Sequence, residues 1–387
     1  MTRYDAVVIG AGSVGVPTTY FLAKEGMKVL CIDVNSSSGQ GQNKAAIGGV
    51  RATHSDPAKI KICGESLNIF SNWENETGTN IGWKKGGYCF PVYREKEERI
   101  LKSILPVQKK FNLNIGWVDV DKIKEIVPGI NMENLIGGTF SPDDGQVSPL
   151  LAAESFTAEA KKLGAEFRYK EEVTGFEMDK NTISGVRTNK EVIKTDFVVN
   201  AAGAHATKVC KMAGVDIPVQ PDSHEAGITA PVKPFLNPLI IDLRQGEDGK
   251  TSNFYFGQCA EGQIIFCYTP SKIFPGKNTQ STSEFMPIIA RRLAQLIPRL
   301  KNLTIRRVWR GLYPMTPDGV AVVDKAPGVD NFYLGIGMCG QGFMMGPGIG
   351  RNLTSMIAKG KPLLEPNVME SLRADRDFYA AKTEDLK

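Results

Sequence analysis

At 387 residues, 42% of them apolar and 23% charged, the chain is too long for one typical core and too ordinary in composition for a disordered protein, so two closely connected domains are expected. The net charge of +5 is mild, and basic pairs such as Lys84-Lys85, Lys109-Lys110 and Arg306-Arg307 are scattered, which argues against nucleic acid as a partner. No apolar run reaches the roughly eighteen residues of a membrane span, the start has no secretory pattern, and seven dispersed cysteines without a C-x-x-C pair give no disulfide framework and no metal site; a cytoplasmic protein without a transmembrane segment is expected.

Tyr4 to Ile9 is an apolar run of strand length that flows into Gly10-Ala11-Gly12-Ser13-Val14-Gly15, after which Val16, Tyr20, Phe21 and Leu22 mark a helix. Such a strand, turn and helix cradle a dinucleotide. Gly10 permits the sharp reversal, Gly12 leaves room for a pyrophosphate, and Gly15 lets the helix lie close on the strand. Free N–H groups at the helix start then hold the phosphates. A second strand from Met27 ends at Asp33, eighteen positions beyond Gly15, where a carboxylate accepts from a ribose hydroxyl.

The polar loop Asn35 to Asn43 reads as a solvated linker or, from its place after the acid, a second cofactor contact, and Gly48-Gly49-Val50-Arg51 continues it. Ser55-Asp56-Pro57 starts a helix that runs to about Gly78. Gly82 to Tyr93 reads as paired short strands, Glu95 to Lys110 and Asp119 to Val127 as helices, Asp143 to Gln146 as a turn, and Pro149 to Leu163 as a helix closed by Gly164. Strands follow over Ala165 to Tyr169, Val173 to Met178, Ile183 to Thr188 and Phe197 to Asn200, the last delivering Ala201-Ala202-Gly203 to a ligand edge. Pro218 to Thr282 is β-rich, Phe285 to Leu296 is a helix, and Ile305 to Tyr313 and Ala321 to Val323 are strands. From Glu365 the tail is charged and expected to be mobile at its end.

Near the C-terminus a second strand runs through Gly337-Met338-Cys339-Gly340-Gln341-Gly342-Phe343 into a helix that extends to about Lys359. A second turn of this kind separates a flavin protein from a simple nicotinamide dehydrogenase. Reduced flavin carries negative charge along its pyrimidine edge, which a helix N-terminus stabilises. The glycines at 340, 342, 346 and 348 are expected to let backbone approach that edge.

On these motifs the chain resembles the D-amino acid oxidase superfamily of FAD enzymes, and within it the group of sarcosine oxidase β-subunit, glycine oxidase and amino-acid (proline) dehydrogenase. The stretches that carry the likeness are Val8 to Gly15, Gly48 to Arg51, Asp144-Gly145, Val199 to Gly203, Trp309 to Gly319 and Gly337 to Met344. The resemblance implies an α/β (α+β overall) fold, with a Rossmann-like FAD-binding domain over 1–80, 141–217 and 303–364. An interleaved substrate domain, an antiparallel β-sheet with flanking helices, takes 81–140 and 218–302, before a tail over 365–387. It implies that Gly10, Ala11, Gly12, Ser13, Val14, Gly15, Asp33 and Val34 bind the ADP half. Asn43, Lys44, Ala45, Ala46, Gly48 and Gly49 line the pyrophosphate and flavin, with Ala201, Ala202, Gly203 and Gly311 nearby, and Val173 meets the adenine. Gly337, Met338, Gly340, Gln341, Gly342, Phe343 and Met344 face the flavin. Two departures matter: Gly311 stands where the monomeric sarcosine oxidases carry the flavin-linking cysteine, and Met344 where they carry a lysine. A non-covalent FAD is expected.

The expected chemistry is oxidation of a C–N bond in a small amino acid or amine, by hydride transfer to flavin N5, with oxygen or a quinone as final acceptor and a homo- or hetero-oligomer as the assembly. Arg51, by the resemblance, holds a substrate carboxylate, for which a fork of donors is suited; its bland reading is a structural ion pair. His54, His224 and Tyr255 are further catalytic candidates, weighed against packing roles, and His205 is read as a cap or packing group. Alternatives are an FAD hydroxy-acid oxidoreductase and a flavin subunit that passes electrons to partner chains.

Overall fold

A computed structural model describes residues 3–380; residues 381–387 of the expected tail lie outside the described residues. The chain opens with β1 (Arg3–Ile9), α1 (Gly15–Lys24) and β2 (Val29–Asp33), then a 3-10 turn over Gln42–Ala45. It continues through β3 (Gly49–Val50), α2 (Pro57–Thr77), β4 (Tyr88–Val92), α3 (Glu95–Lys110), β5 (Gly116–Val118), α4 (Val120–Ile126), β6 (Gly137–Ser141) and β7 (Gly145–Gln146). Next come α5 (Pro149–Lys162), β8 (Glu166–Tyr169), β9 (Val173–Asp179), β10 (Thr182–Thr188), β11 (Val192–Asn200) and α6 (Ala206–Met212). The remainder is β12 (Gln220–Thr229), β13 (Leu239–Asp242), β14 (Thr251–Gln258), β15 (Ile264–Pro270), α7 (Phe285–Leu296), β16 (Ile305–Met315), β17 (Val322–Lys325), β18 (Phe332–Ile336), α8 (Gly342–Lys359) and α9 (Pro366–Met369).

One sheet has the order β17-β18-β11-β1-β2-β8, with a parallel centre. Parallel strands are covered on both faces, and accordingly Ala6, Val7, Val8, Val198 and Val199 expose no surface. The second sheet, β16-β12-β15-β14-β13-β4-β6-β5, is antiparallel except where β13 meets β4. Helix α2 starts where the Asp56 side chain accepts from Lys59 N and stops at Gly78, whose φ of 74° ends it.

Several expectations need correction. Gly82 to Tyr93 is not a strand pair: only β4 is a strand, and its partners are β6 and β13, because Gly87 turns the chain with φ 81°. Strands β5 and β6 were not foreseen, since both are short and glycine-bearing. Strand β16 pairs with β12 from Gln220↔Met315 to Thr229↔Ile305 and so belongs to the second sheet, although 303–364 was expected with the first. The tail up to 380 packs on the molecule, with Arg376 bonding both carboxylate oxygens of Asp318, at 2.7 and 3.2 Å, and Phe378 buried, while the mobility expected at the tail's end concerns residues outside those described. Gly346 and Gly348 also serve another purpose than expected. A Cβ there would lie 1.9 Å from Ser13 O and 2.2 Å from Ile62 O, so these glycines bring α8 against the start of α1 and against α2.

Candidate active site

The two sheets enclose a cavity of about 1050 Å³ with walls from both. At one end lie Gly10, Gly12, Ser13 and Val14, with Asp33, Val34 and Val173 beside them. Gly10, at φ 105°, packs so closely that a Cβ would sit 2.5 Å from Ala201 O, whereas a Cβ on Gly12 would meet nothing within 4 Å. The turn therefore leaves open space where a phosphate would lie. Asp33 accepts from Ala11 N at 2.6 Å, Asn35 N at 2.7 Å and Asn35 Nδ2 at 2.8 Å. A carboxylate has about four acceptor sites, so one remains for a ribose hydroxyl. Ala201, Ala202 and Gly203, at the end of β11, complete this part of the wall.

The middle is built by Asn43, Lys44, Ala45, Ala46, Gly48 and Gly49. Gln42 Oε1 accepts from Leu312 N at 2.6 Å and Trp309 Nε1 donates to Ala45 O at 3.0 Å, which pins the 3-10 turn to β16. Asn43 donates to Pro149 O at 2.8 Å while its Oδ1 is buried without a protein partner. Gly311 lines the cavity, and a Cβ there would come 2.8 Å from the Ala45 Cβ. Arg51 also lines it, 4% exposed, with Nη1 donating to Thr53 O at 2.6 Å. Its strand is clamped by Asp144, whose oxygens accept from Ala52 N and Thr53 Oγ1 at 2.9 Å each. Burial raises the Asp144 carboxyl above its usual range, and these donors oppose that rise.

Beyond the middle, Tyr255 Oη and Tyr313 Oη lie 3.0 Å apart. Burial pushes both phenols well above their usual range and the Cys267 thiol up to about 12, so all three are neutral. The His224 ring stacks on Tyr313 with centroids 3.9 Å apart, and its Nε2 is 3.5 Å from Asp222 Oδ2. Burial alone would raise the Asp222 carboxyl, but donors from His224, Phe274 N and Ser223 N bring it below its usual range and keep it ionised. The segment 271–284 crosses this end. Phe274 N donates to Asp222 Oδ1 at 2.6 Å, Thr282 N to Glu225 at 2.6 Å, and Lys277 Nζ stands 3.0 Å from His205 Nδ1. His205 makes no side-chain cap on α6; it meets this crossing segment instead.

Met338, Gly340, Gln341, Gly342, Phe343 and Met344 bring the start of α8 to the cavity. A Cβ on Gly340 would lie 2.3 Å from the Tyr313 ring, so glycine there lets the turn lie on that ring. Gln341 Oε1 is buried without a protein partner.

Four expected site residues are not in the walls. Ala11 acts from behind through its N–H to Asp33, and Gly15 sits where a Cβ would strike Gly10 O at 1.8 Å. Gly337 turns the chain with φ 69° against Thr316. His54 is fully buried outside the cavity, its carbonyl accepting from Gln108 Nε2 at 3.2 Å. Sequence reasoning missed Gln42, Asp222 and Tyr313. Tyr313 was legible as the second residue after Gly311 on one strand, hence on the same face; Gln42 and Asp222 carried no local signal.

A family model described as FAD dependent oxidoreductase matches residues 5–356. The chain belongs to that family. It is 33% identical to the crystal structure of L-proline dehydrogenase from P. horikoshii, with TM-score 0.89 and 97% of each chain covered. It is 27% identical over 383 residues to the mitochondrial dimethylglycine dehydrogenase of Homo sapiens, covering 93% of this chain and 43% of that protein. This FAD-dependent oxidoreductase thus spans less than half the length of that relative. The β subunit of sarcosine oxidase from Rhodobacter capsulatus is 22% identical, with 92% of this chain and 86% of that subunit covered. The walls fit the family's cofactor: the space at Gly12 suits its phosphates, and the remaining acceptor site of Asp33 and the unpartnered amide oxygens of Asn43 and Gln341 suit its hydroxyl and N–H donors. Among the described residues no helix is long and apolar enough to cross a membrane.

Proposed function

We propose that this enzyme oxidises the C–N bond of a small amino acid or secondary amine, of the sarcosine, proline, glycine or D-amino acid class, to an imine that water hydrolyses. The observation that carries the reading is the lining of the cavity from its middle to its far end. Arg51 is a cation suited to a carboxylate, and the neutral phenols of Tyr255 and Tyr313, with His224 stacked on Tyr313, are groups suited to an amine.

In this reading Gly10, Gly12 and Asp33 hold the ADP half of FAD, the Asn43 to Gly49 stretch holds its middle, and Gly340 to Met344 meet the flavin. Bound FAD supplies a two-electron acceptor. Arg51 orients the substrate through its carboxylate, and Tyr255 and Tyr313 wall off water, which fixes the carbon bearing nitrogen against the cofactor. The first turn of α8 presents backbone N–H groups where negative charge grows. With glycine at 311 and no cysteine there, the cofactor is held non-covalently. The likeness to a protein named as a β subunit supports assembly with partner chains; oxygen or a quinone is the final acceptor in this reading. The dispersed, unbridged cysteines support a cytoplasmic location.

The test is anaerobic mixing of the purified flavoprotein with proline, sarcosine, glycine and D-amino acids while flavin absorbance is followed. Bleaching by one of them supports the reading. No bleaching by any amine, with bleaching by a hydroxy acid, overturns it.

A further inference from the structure

A second cavity, of about 270 Å³, lies beside the segment that carries Arg51, and among the described residues it shares no lining residue with the large one. Helix α2 borders it with Gly64 and Leu67, which lie on one face of the helix. A Cβ added to Gly64 would meet nothing within 4 Å, so the helix surface is open at that point. Trp83 and Leu113 add apolar wall. Lys85 and Asp143 bring charge: Lys85 Nζ is 2.8 Å from Asp143 Oδ1, and Asn114 Nδ2 donates to Asp143 Oδ2 at 3.0 Å. The two charged side chains are 60% and 52% exposed, so they stand at the mouth and their mutual attraction is weak. An ammonium has three donors and a carboxylate about four acceptor sites, which leaves each of them with about two to offer.

A ligand that engages both must present a carboxylate and an ammonium close together, with hydrocarbon for Leu67, Trp83 and Leu113 to cover. The volume falls just under the range of about 300–1,000 Å³ that takes drug-sized ligands, which fits a free amino acid. We propose that this cavity is a second amino-acid site, selective for a zwitterion with an apolar side chain, and that its occupancy is felt at Arg51. The link is short. Thr53 and Asp144 are in its wall; Asp144 accepts from Ala52 N and Thr53 Oγ1 at 2.9 Å each, and Thr53 O accepts from Arg51 Nη1 at 2.6 Å. A molecule packed on Thr53 and Asp144 therefore bears on the backbone that holds the guanidinium. Any effect of this ligand on substrate affinity is matched by an equal effect of substrate on the ligand. The site stands on its own walls; the coupling rests on the reading of Arg51 as the anchor of the substrate carboxylate.

The probe is 1-aminocyclopentane-1-carboxylate, an apolar zwitterion with no α-hydrogen to lose, titrated calorimetrically into the flavin-loaded enzyme. Binding of one equivalent is expected to weaken ~10–10²-fold in Lys85→Gln, and as much for cyclopentanecarboxylate and cyclopentylamine, which each lack one of the two charges. Gly64→Leu fills the open space on α2 and is expected to remove one equivalent of bound probe with no fall in melting temperature. No binding to wild type, or unchanged binding in Gly64→Leu, overturns the site. Unchanged binding in Lys85→Gln, or equal binding of a singly charged analogue, overturns the recognition of a zwitterion. For the coupling, the substrate concentration that gives half-maximal anaerobic flavin reduction is measured with and without the probe. A shift of about fivefold or more in wild type, absent in Gly64→Leu, is expected; an equal shift in the two, as simple competition in the large cavity would give, overturns the coupling. No reduction of wild type by any amine overturns the functional reading and the coupling with it, while the calorimetry still decides the site.

Discussion

Replacing Asp33 by asparagine probes the proposed ADP end of the cavity more sharply than removing the side chain. In the native turn Oδ2 faces Ala11 N at 2.6 Å and Oδ1 faces Asn35 N at 2.7 Å. An amide has one oxygen, so whichever way it is turned its NH₂ opposes a backbone N–H, and one donor of the turn loses its partner. That costs about 1–3 kcal/mol, and loss of the charge-assisted bond to the ribose hydroxyl costs a further ~1.5–3 kcal/mol. The first cost falls on the protein with or without cofactor, so the second sets the change in affinity: a weakening of FAD binding by ~10–10²-fold at about 1.4 kcal/mol per tenfold. The assay is a titration of FAD-stripped protein by quenching of flavin fluorescence, with far-ultraviolet circular dichroism confirming that the variant is folded. An affinity within threefold of wild type would refute the assignment of Asp33 to the ribose.

Three further outcomes follow from the packing. Gly346→Val is expected to separate α8 from α1, because even a Cβ would lie 1.9 Å from Ser13 O; the check is loss of FAD from purified protein together with a lowered melting temperature. Arg376→Ala strips its partner from Asp318, whose side chain is 1% exposed, and breaking a buried pair costs about 3–5 kcal/mol, or ~4–6 °C in melting temperature for a chain of this length. Burial alone would raise the Asp318 carboxyl, but Arg376 and Val320 N bring it below its usual range. Its contribution is thus present above the ordinary carboxylate pKa and lost as pH falls through the lowered one, so the gap between wild type and Arg376→Ala is expected to narrow on acidification; a gap constant down to pH 3 contradicts this. Burial, and then Lys277, lower the His205 imidazole. The folded state therefore favours the neutral ring, and stability is expected to decline as pH falls below the ordinary histidine value, with His205→Gln removing that part of the decline in thermal melts.

Much of this architecture was legible because period and turn chemistry act locally. The strand before Gly10, the Asp56-Pro57 start of α2 and its stop at Gly78 are each decided by a few neighbouring residues. What was not legible depends on partners distant in sequence. Strand β6 is Gly-Gly-Thr-Phe-Ser and becomes a strand by pairing with β4 and β5. The placement of β16 in the second sheet is set by its long pairing with β12, which no local pattern announces. At the site, the glycines at 346 and 348 looked identical in kind to those at 340 and 342, yet only the latter pair reaches the cavity. His54 lies three residues from Arg51 but outside the walls, whereas Asp222 holds His224 across a one-residue interval and was passed over. The cofactor end was readable because backbone conformation selects glycine; the substrate end was not, because its groups meet only when β12, β14 and β16 are assembled.

The central claim is that this FAD enzyme takes two electrons from a carbon bearing nitrogen. It is tested most directly by one anaerobic turnover with the bleaching substrate, followed by quantification of flavin and products. The account predicts one equivalent of released amine or cyclic imine, with its carbonyl partner, for each flavin reduced. Full reduction accompanied by a product that keeps its C–N bond at the original oxidation level would contradict it.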